Sequence, residues 1–342
     1  MQEEPIQTIR ETSRNLLFLN RRRQKDEQTD VRRSLRLNQS NVTTIANKLK
    51  TKSSISASEI KLLQNALVDD PKNIEIVVNT HGALRGLVRE LSGHDVSKQS
   101  AACGCLCNLS LGDSKICCII AKAAGAYLVA ALDTLTTQLA ISCAWTLGNL
   151  AGSGNQACDI IIMQGALSKL CDVMQSSIDM QDAAVYALTH LVFVLRDDLR
   201  PEHYQKIIQA VSKADLNMES SQLLFILSCH NDFSAEAMPD GYLNKIVDRF
   251  TVSMETHLNT CKHDYKRSKD TKCCELVYLI RVLANFNSEN VYRVLVNYFV
   301  SNNMVENIKK MVEMEDKSML WFLGNVHNHC GDSVFFNQLM NT

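Results

Sequence analysis

Apolar residues recur along this chain at the three- and four-residue spacing of amphipathic helices, and the helical segments themselves recur. The phrase Trp145-Thr146-Leu147-Gly148-Asn149-Leu150 returns as Trp321-Phe322-Leu323-Gly324-Asn325-Val326. Each phrase closes an apolar helix of the form A-x-x-L-x-N-L, and a Gly-Ala step and a further apolar helix follow the first. Asn65, Asn108 and Asn149 stand 17, 17 and 16 residues ahead of Gly82, Gly125 and Gly165. The Asn position continues as His190, Cys229, Asn285 and Asn325, at intervals of 39 to 43 residues with one exception of 56. That long interval contains the polar stretch 256–272, which predicts an inserted loop. About seven units are expected, each with a short helix, a glycine-marked bend and two amphipathic helices. One such unit cannot bury its own apolar faces, so the units stack into an all-α solenoid with a continuous core.

Composition supports this picture. Four prolines and 13 glycines in 342 residues are too few for the turns of a sandwich or barrel. Residues 1–52 carry twelve Lys/Arg against six Asp/Glu, so a basic arm precedes a body, 53–342, with a balance of −7 out of the total of −1. An acidic body is not a nucleic-acid-binding core, and the arm has too few apolar residues to fold alone. Most of the 13 cysteines lie in apolar helical runs, which suits free buried thiols in a reducing compartment. The polar start, Met1-Gln2-Glu3-Glu4-Pro5, has no signal-peptide pattern. The stretch Ile116–Leu132 is hydropathic enough to suggest a membrane span, but it carries Lys122 and Gly125 and falls inside the repeat. It is expected to be a buried helix pair of a soluble protein, with no membrane partner.

Catalytic and metal chemistry finds no pattern to rest on. Gly152-Ser153-Gly154 lacks the Lys of a phosphate loop, and no nucleophile elbow or zinc-protease motif is present. Cys261, His263, Cys273 and Cys274, and the His327–Cys330 run, lack paired metal-ligand spacing. No enzyme activity, metal or cofactor is expected.

The A-L-x-N-L helix followed by a G-A-L step resembles the armadillo repeat over roughly residues 56–330. The resemblance implies a right-handed armadillo superhelix. Within that class, Ala144–Leu167 is similar to the importin-α repeats, whose third helices carry W-x-x-x-N. In that family the Asn clamps a signal peptide's backbone and the Trp packs its Lys and Arg stems. By resemblance the peptide groove comprises Asn108, Trp145, Asn149, Tyr186, Asn285, Trp321 and Asn325. The same residues admit a second reading, in which an inner-helix Asn bonds a neighbouring helix and a Trp packs between repeats.

The arm, with Arg21, Arg22, Arg23, Lys25, Arg32, Arg33 and Arg36, is similar to the importin-β-binding segment of importin-α. A short array behind a basic arm is also similar to the armadillo proteins named as transmembrane and coiled-coil domain-containing. The resemblance implies a nuclear-import adaptor, cytoplasmic and nuclear, with an importin-β-type carrier and cargo bearing Lys/Arg-rich signals as partners. A scaffold for other protein partners, outside transport, is the alternative, and a monomer is expected in either case. The chain departs from the family four residues before the repeated position, where Lys61, Gly104, Tyr186, Phe225 and Arg281 stand in place of Trp. Ser153 stands where the family has an acid, with Asp113 as a possible substitute.

Overall fold

The computed structural model describes residues 39–263, 274–286, 288–314, 316–331 and 333–340. The arm residues Arg21, Arg22, Arg23, Lys25, Arg32, Arg33 and Arg36 lie outside them. All regular structure among the described residues is helical. The chain divides between Gln164 and Gly165 into two compact units.

The first unit holds α1 (Gln39–Thr51), α2 (Ala57–Asp69), α3 (Lys72–Asn79), α4 (Ala83–Leu91), α5 (Val96–Leu109), α6 (Ser114–Ala130), α7 (Thr137–Gly152) and α8 (Asn155–Met163). Side-chain caps set where several of these begin. Ser56 and Glu59 form a reciprocal capping box at α2, Asp95 accepts from two backbone N–H groups of α5, and Asp113 accepts from Ile116 N of α6. The helices that end at the repeated Asn position, α2, α5 and α7, pack side by side in order. Every residue from Ala101 to Ser110 is buried, which is why α5 is built from Ala, Cys and Gly at so many positions. Small side chains let α5 approach α2 and α7 closely, and Cys103 and Cys143 meet between α5 and α7 with 3.5 Å between their sulfurs.

Three features differ from the sequence reading. First, α1 belongs to the folded unit, although residues up to 52 were assigned to the arm. Val42, Ile45, Ala46 and Leu49 are buried against α3 and α4. At about 1.5–3 kcal/mol for each fully buried aliphatic side chain, that face outweighs the basic character of Lys48 and Lys50. Second, 116–132 is not a helix pair: α6 runs unbroken through Gly125. Gly82 and Gly165 have φ of +95° and +88° and do mark bends, whereas Gly125 is helical. The side chain of Gln164 fills the space a Cβ would need at Gly125, and its amide donates to Ala121 O at 3.2 Å. Third, helix replaces the first half of the expected loop at 256–272, as described next.

The second unit holds α9 (Ala166–Val173), α10 (Ile178–Leu195), α11 (Pro201–Lys213), α12 (Met218–Ser228), α13 (Tyr242–His263), α14 (Cys274–Ala284), α15 (Glu289–Ser301), α16 (Val305–Glu313), α17 (Lys317–Cys330) and α18 (Ser333–Met340). α13 extends through 256–263 because Met254 and Leu258, one turn apart, are both buried. The rest of that loop lies outside the described residues. The helices that end at the repeated position, α10, α12, α14 and α17, again pack in order. This unit's core adds an aromatic cluster to its aliphatic residues: Phe250, Phe299, Phe322 and Phe335 are buried, with the Phe299 ring 5.9–6.5 Å from the other three. The bidentate pair of Arg249 with Glu275, at 2.8 and 3.0 Å, joins α13 to α14.

Among the described residues two segments, Ser114–Asp133 and Ile178–Leu195, are long and apolar enough to cross a membrane by length and composition. Both pack within their units, and the second is buried over most of its length.

Candidate functional site

The repeated Asn residues act in one register. Asn108 Nδ2 donates to Gln64 O at 2.6 Å, and Asn325 Nδ2 donates to Ala284 O at 2.8 Å. Asn285 Nδ2 donates to Ser228 Oγ at 2.7 Å. Asn149 Nδ2 donates to Ser110 Oγ at 3.1 Å and reaches Cys107 O at 3.4 Å. Gln64, Cys107, Ser228 and Ala284 each stand one residue before the equivalent position of the preceding repeat. The bonds fall near the C-terminal turns of these helices, where carbonyls have spare lone pairs and the helix end carries partial negative charge. Each amide therefore ties its repeat to the one before it. Asn108 and Asn149 are buried at 4% and 9% exposure, while Asn285 and Asn325 are half-buried.

Where the register lacks Asn the bond is replaced by other contacts. His190 is buried edge-on against Tyr186, with ring centroids 4.6 Å apart. Cys229 is exposed, and its sulfur lies 3.7 Å from Asn285 Nδ2.

One turn earlier lies a second row. In the first unit it comprises Lys61, Gly104 and Trp145. Lys61 is exposed and Trp145 half-buried. At Gly104 the Gln64 side chain occupies the space of a Cβ, so the missing indole there is replaced by an amide from the neighbouring helix. In the second unit the row is Tyr186, Phe225, Arg281 and Trp321. Phe225 stacks on Tyr278 with centroids 6.0 Å apart, and the Arg281 guanidinium lies over the Phe225 ring at 5.4 Å. Arg281 Nε also reaches Ser318 Oγ at 3.4 Å. Trp321 is 45% exposed, an unusual position for an indole.

The two positions considered for a signal-binding acid have other roles. Ser153 is buried, donates to Leu150 O at 2.7 Å and closes α7. Asp113 accepts from Ile116 N at 2.8 Å as the cap of α6. The contributors that the sequence reading missed are Ser110, Ser228, Tyr278 and Ser318. Their common signal is position: Ser228 precedes the repeated site by one residue, and Tyr278 and Ser318 lie three residues before members of the second row. Among the described residues no group of three His, Cys, Asp or Glu side chains is arranged to hold a metal.

No protein-family model matches this chain, and a search of curated proteins found no match. Solved structures do match. An engineered protein aligns with a TM-score of 0.60 at 20% identity, covering 83% of this chain and 68% of that one. A designed armadillo repeat protein aligns at 0.53 and 17% identity, covering 72% of this chain and all of that one. A computationally designed armadillo repeat protein for modular peptide recognition gives the same TM-score, identity and coverage. These likenesses concern the fold alone: the described residues form an all-helical repeat fold of the armadillo type.

Proposed function

We propose that this armadillo-type chain is an adaptor in nuclear import, holding an extended Lys/Arg-rich segment of a cargo protein against its third helices. In this reading the basic arm engages an importin-β-type carrier, and the protein works in both cytoplasm and nucleus. The observation that carries the binding part is the register itself. One position on successive third helices carries side chains half-exposed or exposed, and two of them are indoles able to pack a Lys or Arg stem: Trp145 in the first unit and Trp321 in the second. A Trp face packs the stem of a Lys or Arg and attracts its charge. A designed protein of similar fold is named for modular peptide recognition, which supports the same use of such a surface. The transport part rests on the arm's sequence from Arg21 to Arg36.

A scaffold outside transport is the second reading. It is favoured by Arg281 at a Trp position and by Asn amides already bonded to the preceding repeat. The readings separate at the arm. Full-length protein should be captured by an immobilised importin-β-type carrier at low salt, and Arg21, Arg22 and Arg23 all changed to Ala should abolish capture. Equal capture of the variant, or none of the wild type, removes the transport reading. The whole chain is needed because cutting at residue 52 would also remove α1 from the first unit's core.

A further inference from the structure

Arg281 is held where a ligand would be. It occupies the row that carries Trp321 one repeat later, and its guanidinium lies 5.4 Å over Phe225, itself stacked on Tyr278 at 6.0 Å. The aromatic face that would otherwise pack an incoming Lys or Arg is thus already covered by the protein's own cation. A second cation brought to the same face would meet like charge in a half-desolvated site.

The guanidinium is also under-used. A guanidinium offers five N–H donors in a planar fork, and the one bond it makes among the described residues is the long one from Nε to Ser318 Oγ at 3.4 Å. Among the described residues no carboxylate forms an ion pair with Arg281. The nearest comparison on the adjoining helix, Arg249, is fully engaged by Glu275. An ordinary surface arginine is solvated and mobile, whereas this one is half-buried, oriented by a ring beneath it and short of an acceptor.

We propose that Arg281 is a carboxylate receptor, so that the third-helix face of the second unit takes an extended partner segment bearing Asp or Glu at this point instead of Lys or Arg. The fork would receive the carboxylate in a charge-assisted, two-bond contact while Phe225 holds the guanidinium plane. Exposed Trp321, one turn beyond Ser318 on the next helix, offers an apolar surface for the residue that follows. In the first unit the same row reads Lys61, Gly104 and Trp145, without an arginine, so the assignment is made for the second unit. This inference rests on the reading of these helices as a peptide-binding surface.

The test uses full-length protein and three fluorescein-labelled ten-residue peptides, alternating Glu-Thr, Lys-Thr and Gln-Thr, with Thr favouring an extended chain. Anisotropy titrations at low salt should show the Glu-Thr peptide binding more tightly than Gln-Thr. Arg281→Gln should weaken Glu-Thr binding about tenfold or more and leave Lys-Thr unchanged or tighter. Arg281→Lys keeps the charge without the fork, and should cost Glu-Thr about threefold or more. It serves alone if Arg281→Gln does not fold by circular dichroism. Glu-Thr affinity equal to that of Gln-Thr, or unchanged in the folded variants, overturns the carboxylate assignment. Binding of Lys-Thr alone overturns it too but leaves the peptide-binding reading standing. Failure of all three peptides removes both.

Discussion

The side-chain amide of Asn325 donates to the main-chain oxygen of Ala284, 41 residues earlier, at 2.8 Å. Asn108 repeats the bond to Gln64, and Asn149 and Asn285 make its serine-assisted version at Ser110 and Ser228. At these four positions the residue that marks the repeat in the sequence thus also fastens its repeat to the preceding one. An amide carries two N–H groups and a carbonyl, so this bond leaves capacity for a peptide.

Asn325→Ala should lower unfolding free energy by about 0.5–1.5 kcal/mol, the net worth of one such bond. Asn149→Ala, more deeply buried, should cost about 1–3 kcal/mol because it removes two amide contacts, to Ser110 Oγ and to Cys107 O. Urea titration reads both. If Asn149 also clamps a peptide, the variant should bind a basic peptide more weakly by a similar margin. A stability loss with unchanged peptide affinity would assign this residue to packing alone.

The docking of α1 turns on Gly86. A Cβ built there would sit 2.5 Å from Leu49 O, a backbone atom with nowhere to retreat. Gly86→Ala should therefore cost about 1–3 kcal/mol despite alanine's better helix propensity. Hydrogen exchange should show the loss as reduced protection of amides in 42–49. Full protection in the variant would show that α1 is not seated on α4.

The Lys48–Glu59 contact, at 2.5 Å, ties α1 to the start of α2. The Lys48 hydrogen bond, aided by the Ser56 N–H, holds the Glu59 carboxyl down at about 2 from an ordinary 4.5. Because the folded value is the lower one, the stabilisation is present above pH 4.5 and is lost as pH falls through about 2. The melting-temperature gap between wild type and Glu59→Gln should be constant near neutral pH and should close across that window. A gap that persists at the acid end would refute the assignment.

Thiol reactivity should follow burial. Cys229 is exposed, whereas Cys103, Cys105 and Cys143 are fully buried. The hydrogen bond with Cys143 and desolvation hold the Cys103 thiol well above its ordinary value, and desolvation does the same at Cys105. Brief alkylation of native protein should label Cys229 and spare those three, read by peptide mass spectrometry. Early labelling of Cys103 or Cys143 would mean that α5 and α7 part readily.

Much of the fold is legible in residue order. The spacing of Asn65, Asn108 and Asn149, the Leu positions ahead of them, and the bends at Gly82 and Gly165 all follow from local rules. Helical periodicity sets the buried face, and a left-handed glycine ends one helix and starts the next. The same rules mislead at Gly125, where glycine in a helix costs only about 1 kcal/mol and a side chain from Gln164 fills the vacancy. They mislead again at α1, where a run of lysines hides an apolar face formed by Val42, Ile45, Ala46 and Leu49.

By itself the sequence determined the helices, their period and the position on each that would face a neighbour. Those are consequences of backbone geometry and apolar spacing within some forty residues. Only the tertiary structure decided what the polar groups at that position bond to. Asn149 turns toward Ser110, Ser153 turns back to Leu150 O, and Arg281 settles over Phe225 instead of reaching an acid. A polar side chain takes whichever partner packing places within hydrogen-bond or stacking distance; for Asn149 and Arg281 that partner comes from a different repeat, for Ser153 from its own helix.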